Sequence, residues 1–158
     1  MGLLQWYAVR TKPRQEAVAE VFLSQSGLET FHPKIAPAKS LFTSYIFAKF
    51  DAETQVRLVR YSKGVSSIVS FGDKPASLDE SLIDAIKVRI KDGLVRLDPP
   101  SFTKGERVEI KEGPLEGVTG IFDSRIKDSD RVIILLNAIA SQSRVVIPAT
   151  NLRKVSRY

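Results

Sequence analysis

The stretch Leu41–Phe50, LFTSYIFAKF, restricts the fold more than any other part of the chain. Read as a strand, it sends Phe42, Ile46 and Phe50 to one side and Leu41, Tyr45 and Phe47 to the other, because successive side chains of an extended chain alternate. Both sides are apolar. A sheet covered by helices on one face needs apolar residues on that face alone, so the Tyr45/Phe47 side must also be covered, by the chain itself or by a partner. The spacing therefore predicts a central strand packed on both sides.

The flanking residues supply a sheet and its cover. Gln5–Arg10 (QWYAVR) is a short aromatic and β-branched strand that Thr11-Lys12-Pro13-Arg14 breaks, and Ala17, Val18, Val21 and Phe22 then recur at helical spacing until Ser26-Gly27. Leu28–Ile35 reads as a second strand, ended by the prolines at 33 and 37. Asp51 is placed to cap a helix holding Val56, Val59 and Arg60, and Val65–Phe71 (VSSIVSF) is the next strand, closed by a turn at Gly72–Pro75. From Asp79, the residues Leu82, Ile83, Ile86 and Ile90 form the apolar stripe of a third helix, with Gly93 as its terminator. This pattern predicts an α+β sandwich over residues 1–95, with helices against a mostly antiparallel sheet.

The character then changes. Arg96–Thr103 (RLDPPSFT) contains a double proline and is read as a linker, 96–103. Residues 104–158 hold short β-rich runs at Arg107–Lys111, Val118–Phe122, Val132–Leu136, Arg144–Ile147 and Thr150–Arg153, separated by turn residues. Such runs predict a small β-barrel with a marginal core. Leu135–Ser143 (LLNAIASQS) contains fair helix formers and pulls the other way.

The chemistry-bearing residues point to surfaces rather than to a reaction. The chain has no cysteine and one histidine, His32, so nothing assembles a thiolate or histidine metal site, and no cofactor is expected. The serines lie in no nucleophile elbow, and the glycines at 105 and 113–120 lack a phosphate-loop pattern. The first residues lack a basic, then apolar, secretory pattern and no window reaches membrane-spanning length, so a cytoplasmic protein is expected; a monomer is the expected state. Lysine and arginine number 24 against 18 acidic residues, a net charge of +6 that favours a polyanionic neighbour without naming it. The sharpest basic clusters are Arg10, Lys12 and Arg14 at one strand-to-helix turn and Lys63-Gly64 at another, where phosphates can be reached. Alone, each cluster would pass as solubilising charge.

Several motifs in order carry a resemblance. The runs Trp6–Glu16 (WYAVRTKPRQE), Phe31-His32-Pro33, Leu41–Phe47, and Lys63-Gly64-Val65 through Phe71-Gly72 resemble the N-terminal domain of NusG-family transcription elongation factors. Lys104–Val108 (KGERV) and Glu112–Ile121 (EGPLEGVTGI) are similar to the KOW motif of the same family. Within it, the Trp-Tyr start and Leu135-Leu136-Asn137-Ala138-Ile139 look more like the specialised RfaH branch than like general members.

The resemblance implies an NGN-type sandwich, a linker, and an SH3-like KOW barrel that in the RfaH branch can instead fold as a helical hairpin masking the polymerase site. It also implies an elongation and antitermination factor rather than an enzyme. Its N-terminal domain would dock on the clamp helices of the RNA polymerase β′ subunit through Tyr7, Phe42, Tyr45 and Phe47, the residues on matching motif positions. Lys12, Arg14, Lys63 and Gly64 would face upstream or non-template DNA. The KOW domain would meet ribosomal protein S10, or Rho as in NusG itself, through Leu115 and Phe122. The chain departs from the family where a long basic hairpin is reduced to His32–Ser40, and at Gln55–Leu58, where a His-Thr-Thr-Thr run is missing. A competing reading is a KOW-containing RNA- or ribosome-binding structural protein, which would have no need of the N-terminal module.

Overall fold

The computed structural model describes residues 3–97 and 118–142. Its frame is one antiparallel pair, β1 (Leu4–Thr11) with β5 (Tyr45–Asp51), in unbroken register from Leu4 opposite Asp51 to Arg10 opposite Tyr45. Between them in the chain lie α1 (Glu16–Gln25), β2 (Glu29–Phe31), β3 (Lys34–Ile35) and β4 (Lys39–Ser40). After β5 come α2 (Val56–Arg60), β6 (Val65–Ile68), β7 (Ser70–Phe71), β8 (Lys74–Pro75), β9 (Ser77–Leu78), α3 (Glu80–Lys87), β10 (Ile90–Lys91) and β11 (Leu94–Val95). Strand order in the main sheet is β2-β5-β1-β6, and β9 joins β1 at Trp6 and Tyr7.

Alternation along the two central strands divides the core in two. Tyr7 and Val9 of β1, with Ile46, Ala48 and Phe50 of β5, pack under Ala19 and Leu23 of α1 and Val59 of α2. Trp6 and Ala8, with Phe47, pack on the other side under Leu82, Ile83 and Ile86 of α3. Both faces of the sheet are therefore covered, as the two-sided apolar pattern of the central strand requires.

Several local expectations are corrected. The strand begins at Tyr45, not Leu41, because Ser44 takes a positive φ of 68° and Leu41–Ser44 turns before the sheet is entered. The turn breaks the alternation, so Phe42 joins Phe47 and not Ile46 and Phe50. The buried line of α1 is Ala19 and Leu23, while Val21 and Phe22 face outward. The Leu28–Ile35 strand is split at His32-Pro33, and the shortened insertion is itself a hairpin, β3 against β4. Asp51 caps the turn before α2, accepting from the Glu53 amide and the Thr54 hydroxyl, and does not cap the helix. Asp79 does cap α3, accepting from the Ser81 amide, but Gly93 does not end that helix. Asp92 and Gly93 both have positive φ and form the two-residue turn between β10 and β11, for which Asp-Gly is the ordinary signal.

The tail departs furthest from the strand reading and, over 128–142, takes the helical alternative. Val118–Phe122 is a 3-10 turn and Asp128–Gln142 is a helix, α4, so the strands expected at Val118–Phe122 and Val132–Leu136 are absent and these residues form no barrel here. The runs at 107–111, 144–147 and 150–153, and Leu115, lie outside the described residues. Helix wins over the β-branched composition because Arg131, Leu135, Ala138 and Ile139 recur at i, i+4, i+7 and i+8 and are all buried. Asp128 and Asp130 lie in the first turn, where the helix dipole favours negative charge.

Candidate docking face and the basic end of the sheet

The group Leu41, Phe42, Tyr45 and Phe47 is largely aromatic. Phe42 meets Phe47 edge to face, with centroids 5.7 Å apart and planes at 88°, and Phe31 stacks on Phe47 from the other side at 6.1 Å. Ile121 and Phe122 from the 3-10 turn and Leu135, Ala138 and Ile139 from α4 belong to the same buried cluster, in which α4 meets the 3-10 turn and β9. That side of the sheet is covered within the same chain, by α3 together with α4.

Polar contacts seat that helix. Arg131 is 2% exposed and donates from Nε to the Ile121 carbonyl at 3.0 Å and from Nη1 to the Leu41 carbonyl at 3.3 Å and to Asp128 Oδ1 at 2.9 Å. Asp128 Oδ2 also meets Lys39 Nζ of the β3–β4 hairpin at 2.8 Å. Hydrogen bonding from Lys39, and then from Arg131, holds the Asp128 carboxyl below the usual carboxylate range. Phe122 is buried, with the Arg89 guanidinium 4.1 Å above its ring. Sequence reasoning missed Lys39, Asp128 and Arg131. The spacing of Asp128 and Arg131 on the stripe of Leu135 and Ile139 was the available signal, and the β-branched run at 132–134 concealed it.

Tyr7 does not join this cluster. It lies on the opposite face of the sheet, stacked on Phe50 at 4.5 Å, and its hydroxyl donates to Gln5 Oε1 at 3.2 Å. Burial, reinforced by the Asp51 charge, pushes its phenol pKa up. Of the four aromatic residues singled out in the sequence, the fold brings three together.

The basic residues converge where β1 ends and β6 begins. The Lys12 amide donates to the Gly64 carbonyl at 2.9 Å, which ties the Lys12–Arg14 turn to the Lys63-Gly64 loop. Lys12, Arg14 and Lys63 are exposed, and Arg14 has a φ of 62°. Gly64 has a φ of 85° and lies against the backbone of Ala19, so its smallness serves the packing of this loop on α1.

His32 fixes the base of the hairpin. Its Nε2 lies 2.6 Å from Ser40 Oγ and its Nδ1 3.5 Å from Glu20 Oε1, so one side chain ties β2, β4 and α1 together. Burial lowers its pKa, and the Glu20 charge opposes that shift. The imidazole is a structural pin rather than a ligand.

The geometry is thus a two-sided antiparallel sheet with an aromatic cluster in the core it shares with α4 and a cationic loop cluster where β1 ends and β6 begins. The NusG family, described as "Transcription termination factor nusG", matches residues 4–87, more than half of the chain. The chain therefore belongs to the NusG family and is a NusG-like, non-enzymatic transcription termination/antitermination factor, whose membership implies RNA polymerase as a partner. It is 25% identical to the transcription termination/antitermination protein NusG of Campylobacter jejuni, with 87% of this chain and 88% of that protein covered. Among solved structures it is similar to one described as domain interaction in Thermotoga maritima NusG, at 21% identity and a TM-score of 0.48 over 72% of this chain and 76% of that one. Among the described residues no helix is long and apolar enough to cross a membrane.

Proposed function

We propose that this chain is an elongation and antitermination factor of the RfaH-like branch. Its Leu41/Phe42/Tyr45/Phe47 face docks the β′ clamp helices of RNA polymerase, and it bridges the DNA cleft and suppresses pausing or termination. The observation that carries this reading is α4 itself: a face that buries Leu135, Ala138 and Ile139 of one amphipathic helix has the shape and chemistry to bury another. The tail and the polymerase then compete for one surface, and polymerase binding requires the tail to leave. Release of the tail also uncovers Phe122, which with Leu115 is the proposed contact for ribosomal protein S10 or Rho once residues 104–158 refold as a KOW barrel beyond the 96–103 linker. Lys12, Arg14, Lys63 and the backbone at Gly64 face upstream or non-template DNA, for which the junction of the two basic turns is the support. The alternative of a ribosome-binding KOW protein has less support, because the described part of the tail packs on the N-terminal unit that such a protein would not need.

The test uses the full-length chain. Ile139→Asp, which places a charge in the buried seam, should raise capture by RNA polymerase. Adding Tyr45→Ala to that opened chain should then cost on the order of 2 kcal/mol, roughly a thirtyfold loss in affinity. Equal capture of the native chain and the Ile139→Asp variant would remove the competition, and indifference to Tyr45→Ala would remove the docking face.

A further inference from the structure

The contacts that pin the β3–β4 hairpin also line up a hydroxyl, an imidazole and a carboxylate. Ser40 Oγ lies 2.6 Å from His32 Nε2, and Glu20 Oε1 of α1 lies 3.5 Å from Nδ1 on the other side of the ring. That second separation is too long for a full hydrogen bond, and Nδ1 is buried with no partner at hydrogen-bonding geometry, so Glu20 acts on the ring through its charge. A carboxylate can only accept, which favours the proton on Nδ1 and leaves the Nε2 lone pair to take the Ser40 hydroxyl proton. The His32 side chain is 5% exposed, whereas Ser40 is half-buried and keeps access to solvent. Opposite Ser40 in the hairpin register stands Lys34, and residues directly opposite in an antiparallel pair share a face. The charge of Lys34 reaches the His32 ring, as do those of Glu20 and Glu16 from α1.

We propose that Ser40 is an acylation site, with His32 as its general base and an acyl phosphate as the donor. Ser40 Oγ attacks the carbonyl carbon of the donor and its proton passes to His32 Nε2; the bond from that carbon to the phosphate oxygen then breaks, and the imidazolium returns the proton to the departing phosphate. One ester forms, one mixed anhydride is lost, and nothing is oxidised or reduced. Lys34 sets the donor class, because an ammonium on the face of the hydroxyl favours a phosphate leaving group over a neutral one. Burial lowers the His32 pKa, so the ring is neutral and able to accept a proton at neutral pH. The chain is modified once rather than turned over. Ser40 stands between Lys39, which pairs with Asp128, and Leu41, whose carbonyl accepts from Arg131, so the acyl group sits within the stretch that seats α4.

The test incubates the full-length chain with acetyl phosphate and locates the acetyl groups by peptide mapping; alkaline hydroxylamine removes a serine ester and spares the amides formed on lysines. An ester should form at Ser40 at least about tenfold faster than at any other serine, be absent in Ser40→Ala and be slowed about a hundredfold in His32→Asn. In the native chain the rate at Ser40 should rise with pH up to the lowered His32 pKa and stay level above it. Glu20 is a positioning residue: Glu20→Gln removes a charge that raises that pKa, and should move the rise to lower pH. Lys34→Ala should slow acetylation by acetyl phosphate roughly fivefold and leave that by p-nitrophenyl acetate, a neutral donor, unchanged. Equal response of both donors to Lys34→Ala, or faster ester formation from the acetyl thioester of coenzyme A, overturns the acyl phosphate as donor. No ester at Ser40, or a native rate that climbs with hydroxide without levelling, overturns the site itself, and that pH profile depends on no variant being folded.

Discussion

A methyl group at position 64 would stand 2.9 Å from the backbone nitrogen of Ala19, on a residue whose φ is 85°. Backbone cannot yield as a side-chain tip can, and the left-handed region costs an L-residue roughly 1–2 kcal/mol before any contact is counted. Gly64→Ala should therefore destabilise the fold by about 3 kcal/mol in total, the remainder coming from overpacking. A urea titration should show a lower midpoint with an unchanged slope. Native stability in that variant would leave Gly64 free for a purely nucleic-acid role. At this scale a residue singled out for DNA proves to have a structural reason of its own, and Tyr7, singled out as an interface aromatic, rests on Phe50 inside the opposite core.

At the scale of elements, α4 is seated by one buried side chain and an apolar stripe. Its one buried charge, Arg131, reaches two main-chain carbonyls in different parts of the chain, at Ile121 and Leu41, and also Asp128. Truncation to alanine removes the donors and the packed stem together, at a cost of about 2–4 kcal/mol in closure of the tail. Amide exchange in α4 should then accelerate by at least thirtyfold, while β1 and β5 keep native protection. Arg131→Met keeps the volume and should lose less. Exchange that rises equally in the central strands would mean that α4 is part of the global fold and not a separable cover.

The whole molecule couples that cover to pH through Asp128, which pairs with Lys39 on the hairpin and Arg131 on its own helix. Its pKa is lowered when the tail is closed, so closure binds fewer protons at this carboxyl than opening does. That stabilisation is complete above the ordinary aspartate value of about 4 and is lost as pH falls through the depressed one. Acid should loosen α4 in the native chain, and Asp128→Asn should be looser at neutral pH and lose less on acidification. Helical chemical shifts of 128–142 followed from pH 6 downward decide this, and identical profiles would remove Asp128 from the closure.

The sequence by itself determined the α+β sheet and the two-sided packing of its central strand. Both follow from periodicity and from the Tyr45/Phe47 alternation. Tertiary structure decided the state of 118–142. Val132, Ile133 and Ile134 favour a strand locally, whereas Arg131, Leu135, Ala138 and Ile139 lie on one side of a helix and are buried, the last three in the core that also holds Leu41, Phe42 and Phe47. Intrinsic preferences differ by only about 1 kcal/mol per residue, and burying one leucine or isoleucine is worth about 1.5–3 kcal/mol, so the surface that receives the segment outweighs its local tendency. Phe42 followed the same logic, placed by the turn at Ser44 and not by counting along a strand, because alternation holds only where the chain is extended.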